Sequence, residues 1–71
     1  MKNIYGIKNI RVVCADQELP DRFEKKDYSY LDFNVYKETG VLEIINHYRI
    51  IAYYTSGNWL RYYIEWDVEE G

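Results

Sequence analysis

The sequence predicts a small, mainly β domain built on a twisted antiparallel sheet. Short runs of the chain are dense in β-branched and aromatic residues, which favour strands. Apolar and polar residues alternate from Tyr30 to Tyr36, as in a strand with one buried face, and isolated glycines interrupt the runs at turn positions. We expect roughly four to five strands in meander order within one domain, residues 1–71, with at most one short helix. A β-rich α+β fold is the alternative.

The N-terminal part of the chain predicts one strand and one short helix. Residues 10–14 form a β-branched cluster, which favours a strand. The polar stretch behind it contains Pro20, which suits the first position of a helix. Asp21 then lies at the positive end of the helix dipole and Lys25-Lys26 at the negative end, so we expect one or two helical turns over 20–26. A plain loop is the alternative.

The middle of the chain predicts a hairpin. Its first strand is the alternating segment 30–36, and its second strand is 41–45. Gly40 between them can adopt the positive φ that a tight connection needs. A connection with an even number of residues places Phe33 on the same face as Ile44, so the register and the burial pattern agree.

Residues 41–54 admit two interpretations. Apolar residues recur there at spacings that also fit the stripe of a helix. The density of β-branched and aromatic residues and the polar break at 46–47 favour two strands instead. We therefore expect two strands joined at this break.

The closing segment predicts a second hairpin, with a turn at 55–58 and Tyr54 opposite Trp59. One face of this hairpin is apolar and is expected to belong to the core. The other face mixes rings with charges, which are unfavourable to bury unpaired, so we expect it to meet water or a partner. Its candidate partner-binding residues are Tyr48, Tyr54, Trp59, Arg61, Tyr63 and Glu65. The alternative is that another part of the chain covers these rings.

Composition favours an exposed aromatic surface. The 71 residues include nine Tyr and two Trp, and a domain of this size buries only about 60% of its unfolded surface. The usual means of stabilising so small a chain are missing, since Cys14 is the single cysteine and cannot form an internal disulfide. Association of two copies is the remaining common solution, so we expect a homodimer.

Charge and reactive residues narrow the classes of function. The net charge is −3 and the basic residues are scattered, which argues against a nucleic-acid-binding groove. His47 is the only histidine, and no compelling nucleophile or orienting partner accompanies it. The glycines are isolated and there is no Cys–His cluster. We expect no catalytic residues, no cofactor and no metal.

These observations predict a non-enzymatic protein-interaction module, such as an inhibitor or adaptor, that docks on a protein partner through the outer face of the closing hairpin. In size and in its acidic, tyrosine-rich composition the chain resembles small proteins that phages and mobile elements direct against host or defence machinery, although no motif connects it to a family. The alternative is a nucleotide-like ligand at an oligomer interface, and single-stranded nucleic acid ranks third. The lone cysteine fits the cytoplasm, and we expect no membrane span.

Overall fold

The computed structural model describes residues 2–70 and contains six β-strands. In chain order they are β1 (Lys2–Cys14), β2 (Asp21–Glu24), β3 (Asp32–Tyr36), β4 (Val41–Asn46), β5 (Arg49–Tyr54) and β6 (Trp59–Glu70). The mainly β class is confirmed. The described residues include no helix that is long and apolar enough to cross a membrane.

The strands divide between two antiparallel sheets rather than forming one meander. Sheet A has the strand order β2-β1-β6, and sheet B has the order β3-β4-β5. Each sheet therefore has a central strand, β1 or β4, that is paired on both sides. These two central strands supply most of the buried apolar side chains, because a central strand is covered along both edges.

The helical turns expected over 20–26 are wrong, because this segment supplies the strand β2. Within β2, Phe23 lies opposite Ile10 of β1 and packs against the core. A proline and a favourable charge pattern contribute only about 0.3–1 kcal/mol to a short helix. Fully burying a phenylalanine side chain contributes roughly 1.5–3 kcal/mol. Phe23 is partly buried, and this contact together with the pairing of β2 with β1 outweighs the helical preference.

One hydrophobic core lies between the two sheets. Its fully buried side chains are Ile10 and Val12 from β1 together with Leu42 and Ile44 from β4. An aromatic contact also joins the edge strands β3 and β6 of the two sheets. The ring centroids of Phe33 in β3 and Tyr62 in β6 lie 5.3 Å apart, so β3 packs over β6.

The hairpin predicted in the middle of the chain is confirmed. β3 and β4 pair antiparallel, with Phe33 opposite Ile44 on the inner face. Gly40 in the connection has a φ of +74°, and a Cβ at this position would lie 2.7 Å from Oγ of Ser56. A side chain at Gly40 is therefore disfavoured both by the left-handed backbone and by the approach of the turn that contains Ser56.

The prediction of a closing hairpin is wrong. β5 pairs with β4 and β6 pairs with β1, and no ladder joins β5 to β6 in the described part of the chain. Residues 55–58 carry the chain from sheet B to sheet A. As a result Tyr54 lies opposite Leu42, and Trp59 lies opposite Cys14. Two aromatic runs around a short turn fit a hairpin and a crossing between packed sheets equally well, because their period of two is the same.

The interpretation of 41–54 as two strands is confirmed, with the connection at the polar break. The turn residues are His47 and Tyr48, with φ values of +49° and +68°. This pair of left-handed conformations is typical of a type I′ turn, in which Asn and Gly are the preferred residues. A non-glycine residue in this conformation costs roughly 1–2 kcal/mol, so contacts around the turn must offset the strain.

Candidate binding surface

β6 places three of the predicted binding residues in one row. Side chains alternate along a strand, so Arg61, Tyr63 and Glu65 point to the side of sheet A that faces away from the core, and all three are exposed. Directly opposed side chains of antiparallel strands share a face. The neighbours of the row on β1 are, in the same order, Val13, Arg11 and Asn9.

Three arginines share the outer face of sheet A with Tyr63. Arg11 lies directly opposite it on β1, and the guanidinium carbon of Arg11 is 5.3 Å from the Tyr63 ring centroid. Arg22 of β2 lies opposite Arg11 on the other side, and Arg61 precedes Tyr63 by two positions on β6. The Tyr63 side chain remains 45% exposed. We call Arg11, Arg22, Arg61 and Tyr63 the arginine–tyrosine face.

The arginine–tyrosine face carries a local excess of positive charge. Arg22 contacts Glu24 with Nε and Oε1 3.7 Å apart, and this carboxylate also faces Lys26 at 3.7 Å. Within residues 3–69 no salt bridge reaches Arg11 or Arg61. A chain with a net charge of −3 therefore presents a cationic patch with one aromatic ring at its centre.

The row ends in a polar cluster around Asn9. Its cross-strand neighbours are Glu24 on β2 and Glu65 on β6. Asn9 is only 3% exposed, and its Nδ2 donates a hydrogen bond to Oε1 of Glu65 at 2.7 Å. This hydrogen bond, followed by the charge of Lys8, lowers the pKa of the Glu65 carboxyl. The neutral Asn9 amide thus lies between the carboxylates of Glu24 and Glu65 and holds the Glu65 side chain in place.

Tyr54 and Trp59 lie on the inner side, away from this row. The Tyr54 hydroxyl donates to Oδ2 of Asp21 at 2.7 Å and so links β5 to β2. Nε1 of Trp59 donates to the carbonyl of Gly40 at 2.8 Å and so links β6 to the β3–β4 connection. Both rings pack against the core. For these two residues the structure follows the alternative in which other segments cover the rings.

Neither the Cys14 thiol nor the Tyr54 hydroxyl is activated as a nucleophile. Sγ of Cys14 lies 3.6 Å from the same Asp21 carboxylate oxygen. Burial, followed by the charge of Asp21, raises the pKa of the Cys14 thiol. Burial, followed by the hydrogen bond to Asp21, raises the pKa of the Tyr54 hydroxyl. Both groups stay protonated at neutral pH, so neither is an activated nucleophile. Among the described residues no group of three or more His, Cys, Asp and Glu is placed to hold a metal ion.

Tyr48 lies apart from the row, at the tip of the β4–β5 turn, and is fully exposed. The neighbouring ring of His47 is held in place: its Nε2 lies 2.6 Å from Oγ of Ser29, and its centroid lies 5.7 Å from that of Tyr30. An open groove of about 670 Å³ runs beside the turn. Its lining residues are Tyr30, Asp32, Asn34, Ile45, His47 and Tyr48.

The sequence did not identify Arg11 and Arg22 as members of a site. A local signal for Arg11 exists, because Asn9, Arg11 and Val13 alternate with the buried Ile10 and Val12. The pairing that brings Arg11 to Tyr63 joins opposite ends of the chain, and no local pattern encodes it. Arg22 lies in the segment for which the sequence predicts a helix, so its alternation with Phe23 is not read as a strand pattern.

Comparison with protein-family models, with curated proteins and with solved structures finds no match for this chain.

Proposed function

We propose that this protein is a non-enzymatic interaction module that docks on another protein through the arginine–tyrosine face. The observation that carries the proposal is the exposed Tyr63 ring lying against Arg11, with two further arginines beside it. Tyr and Arg are among the residue types that dominate the energetics of protein interfaces. A partly exposed ring held by a neighbour on a rigid strand loses little conformational freedom on binding.

The chemistry of the face favours an acidic partner segment. Arg11 and Arg61 have guanidinium groups outside the salt bridges of residues 3–69, and a guanidinium can bind a carboxylate through two parallel hydrogen bonds. The face also attracts such a partner over distance, because complementary charge increases the rate of encounter. Glu65 and Glu24 at the end of the row limit where an acidic segment can lie.

Tyr48 is proposed as a second contact. A fully exposed ring on a strained, non-glycine turn is an arrangement that stability alone does not favour. Tyr54 and Trp59 are not part of the proposed contact surface, because their hydrogen bonds and packing belong to the core.

An inhibitor or adaptor is the form of module we favour, of the kind that phages direct against a host or defence protein in the cytoplasm. Such a protein acts by occupying a surface on its partner, so a small rigid sheet is sufficient. The support is the chain's size and composition together with a charged aromatic face.

The experiment is site-specific photo-crosslinking in a lysate of the source cells. A benzophenone amino acid replaces Tyr63 in one variant and Tyr53, an exposed ring on the outer side of sheet B, in the control. We expect position 63 alone to give a discrete adduct with a protein other than a second copy of this chain. The adduct should also be lost when Arg11→Ala is added to the position 63 variant. Equal adducts from both positions, or an adduct that survives Arg11→Ala unchanged, would contradict the proposal.

A second candidate function is the binding of a nucleotide-like ligand, and the three arginines around one ring favour it. A base can stack on an aromatic ring while guanidinium groups bind phosphate. Thermal unfolding with a panel of nucleotides tests it, since a ligand at 100 times its dissociation constant adds about 2.7 kcal/mol. We expect any shift to disappear in Tyr63→Ala. Single-stranded nucleic acid is the third candidate. Its binding usually requires several rings on which successive bases stack, and this face offers one ring and three arginines.

A further inference from the structure

We propose that the free edge of β6 pairs antiparallel with β6 of a second copy, so that two sheets A join into one continuous sheet. β6 is an edge strand of 12 residues, and in residues 2–70 its only ladder partner is β1. The other edge strands, β2, β3 and β5, have 4, 5 and 6 residues. An unpaired edge of this length is a template for strand addition, and it offers the most backbone hydrogen bonds.

The side chains of β6 are self-complementary about Tyr63. With a two-fold axis at this residue, Arg61 of one copy lies opposite Glu65 of the second copy, and the same pair recurs on the other side of the axis. Both residues are exposed and both lie on the outer face. An opposite-charge pair across two strands contributes roughly 0.2–1 kcal/mol, and like charges directly opposite are destabilising.

The same axis covers exposed apolar surface. It brings Leu60, which is 62% exposed and lies at the register shift between Arg61 and Trp59, close to Trp66 of the second copy, which is 49% exposed. On the same strand Tyr62 and Ile64 pack against the core, whereas Leu60 and Trp66 do not. Their pairing removes them from water on both sides of the axis, which the isolated chain does not achieve.

The acids at the end of β6 distinguish this arrangement from the alternatives. In the antiparallel pair, neither Asp67, which already contacts Nζ of Lys25 at 2.8 Å, nor Glu69 lies opposite another carboxylate. Parallel pairing of the two strands would instead set these carboxylates side by side. Unlike charges therefore meet only in the antiparallel arrangement.

This inference does not depend on the proposed docking function. In the dimer the two outer faces become one surface, with the two Tyr63 residues adjacent on the axis. Arg61 is then paired with Glu65 of the second copy, and Arg11, which has no salt bridge within residues 3–69, remains for an acidic partner. The two proposals are tested by separate measurements. A dimer that captures no partner would contradict only the docking function, and a monomer that captures a partner would contradict only the dimer.

The experiment measures molar mass by light scattering during size-exclusion chromatography over a concentration series. We expect a dimer for the wild type and weaker dimerisation, by roughly tenfold or more, for Arg61→Glu, because two attractive pairs become repulsive. The double variant Arg61→Glu/Glu65→Arg should restore the dimer. The matched control is Arg22→Glu, which changes the same residue type on the opposite edge strand and should leave the mass unchanged.

A disulfide trap tests the axis without relying on weakened variants. In Tyr63→Cys/Cys14→Ala the two new thiols face each other across the axis, at a Cα separation of about 4.5–5.5 Å, which a disulfide can span. We expect rapid oxidation to a covalent dimer, and none for Arg22→Cys/Cys14→Ala. A monomeric wild type, a dimer that survives Arg61→Glu, or a dimer that fails to crosslink at position 63 would each overturn the proposal.

Discussion

The outer faces of the two sheets use similar residue types to opposite effect. On sheet A an aromatic ring, Tyr63, lies against Arg11 and shares its face with Arg22 and Arg61. On sheet B a carboxylate, Glu43, lies among aromatic rings: it is opposite Tyr53 and accepts a hydrogen bond from the Tyr36 hydroxyl at 2.9 Å. Glu43 is only 9% exposed, so its carboxylate interacts with groups of the fold rather than with a second molecule.

The contrast teaches that exposure alone does not identify a contact surface. Tyr36 and Tyr53 are as exposed as Tyr63, but the Tyr36 hydroxyl already has a partner within sheet B. The hydrogen bond to Glu43, followed by its charge, raises the pKa of Tyr36. On sheet A, Arg11 and Arg61 have no salt bridge within residues 3–69. These guanidinium groups without a salt bridge are the reason we propose that a second molecule binds at sheet A.

The largest effects should come from the core beneath both faces. Ile10→Ala in sheet A and Ile44→Ala in sheet B each delete a fully buried side chain, and each should lower the free energy of unfolding by about 2–5 kcal/mol. Urea denaturation measures both, with Leu19→Ala, at a position that is 80% exposed, as the control. If one core variant lost little stability, the two sheets would not share one cooperative core.

The second prediction compares the loss of stability caused by one substitution on the outer face of each sheet. Glu43→Ala removes the acceptor of a hydrogen bond on sheet B and should cost about 1–3 kcal/mol of stability. Arg11→Ala on sheet A removes an exposed cation–π contact and should cost at most about 1 kcal/mol. Thermal and chemical denaturation of both variants measures the difference. A reversed order would show that the arginine–tyrosine face serves stability rather than binding.

A smaller effect is expected where the two sheets are joined by a hydrogen bond. Tyr54→Phe removes the donor to Asp21 and should cost about 1 kcal/mol at neutral pH. Because the pKa of Tyr54 is raised in the folded state, its contribution is present below its ordinary pKa of about 10. It declines as the pH rises above that value, when the unfolded state loses the proton first. Unfolding measured from pH 8 to 11 should show this decline in the wild type and less of it in Tyr54→Phe.

The smallest effect is expected at the end of the row on sheet A. The lowered pKa of Glu65 means that its contribution to stability is present above the ordinary carboxyl pKa of about 4.3. It is lost as the pH falls through the lower folded-state value. Glu65→Gln should therefore differ from the wild type at pH 6 and approach it at pH 3, as followed by thermal unfolding. A constant difference across this range would contradict the contribution assigned to Asn9 and Lys8.

The sequence predicts those features of the fold that depend on residues close together in the chain. The alternation in β3, the β3–β4 register at Phe33 and Ile44, and the break before β5 all follow from local patterns. The alternation within β6 also predicts that Arg61, Tyr63 and Glu65 share a side. The choice of partner strand is different, because β6 pairs with β1 for reasons of packing that a window of a few residues does not contain. This is why Arg11 was missed and why Tyr54 and Trp59 were assigned to the wrong side.

The pairing of β1 with β6 also has a kinetic consequence. Its contacts, such as Ile10 opposite Ile64, join the two ends of the chain, so the longest ladder requires closure of nearly the whole polypeptide. The hairpins β3–β4 and β4–β5 close short loops and can form early, whereas sheet A is assembled from distant segments. Topologies dominated by such distant pairings fold in roughly milliseconds to seconds. Until that step is complete, the residues that flank Tyr63 are not adjacent, and the cationic surface does not exist.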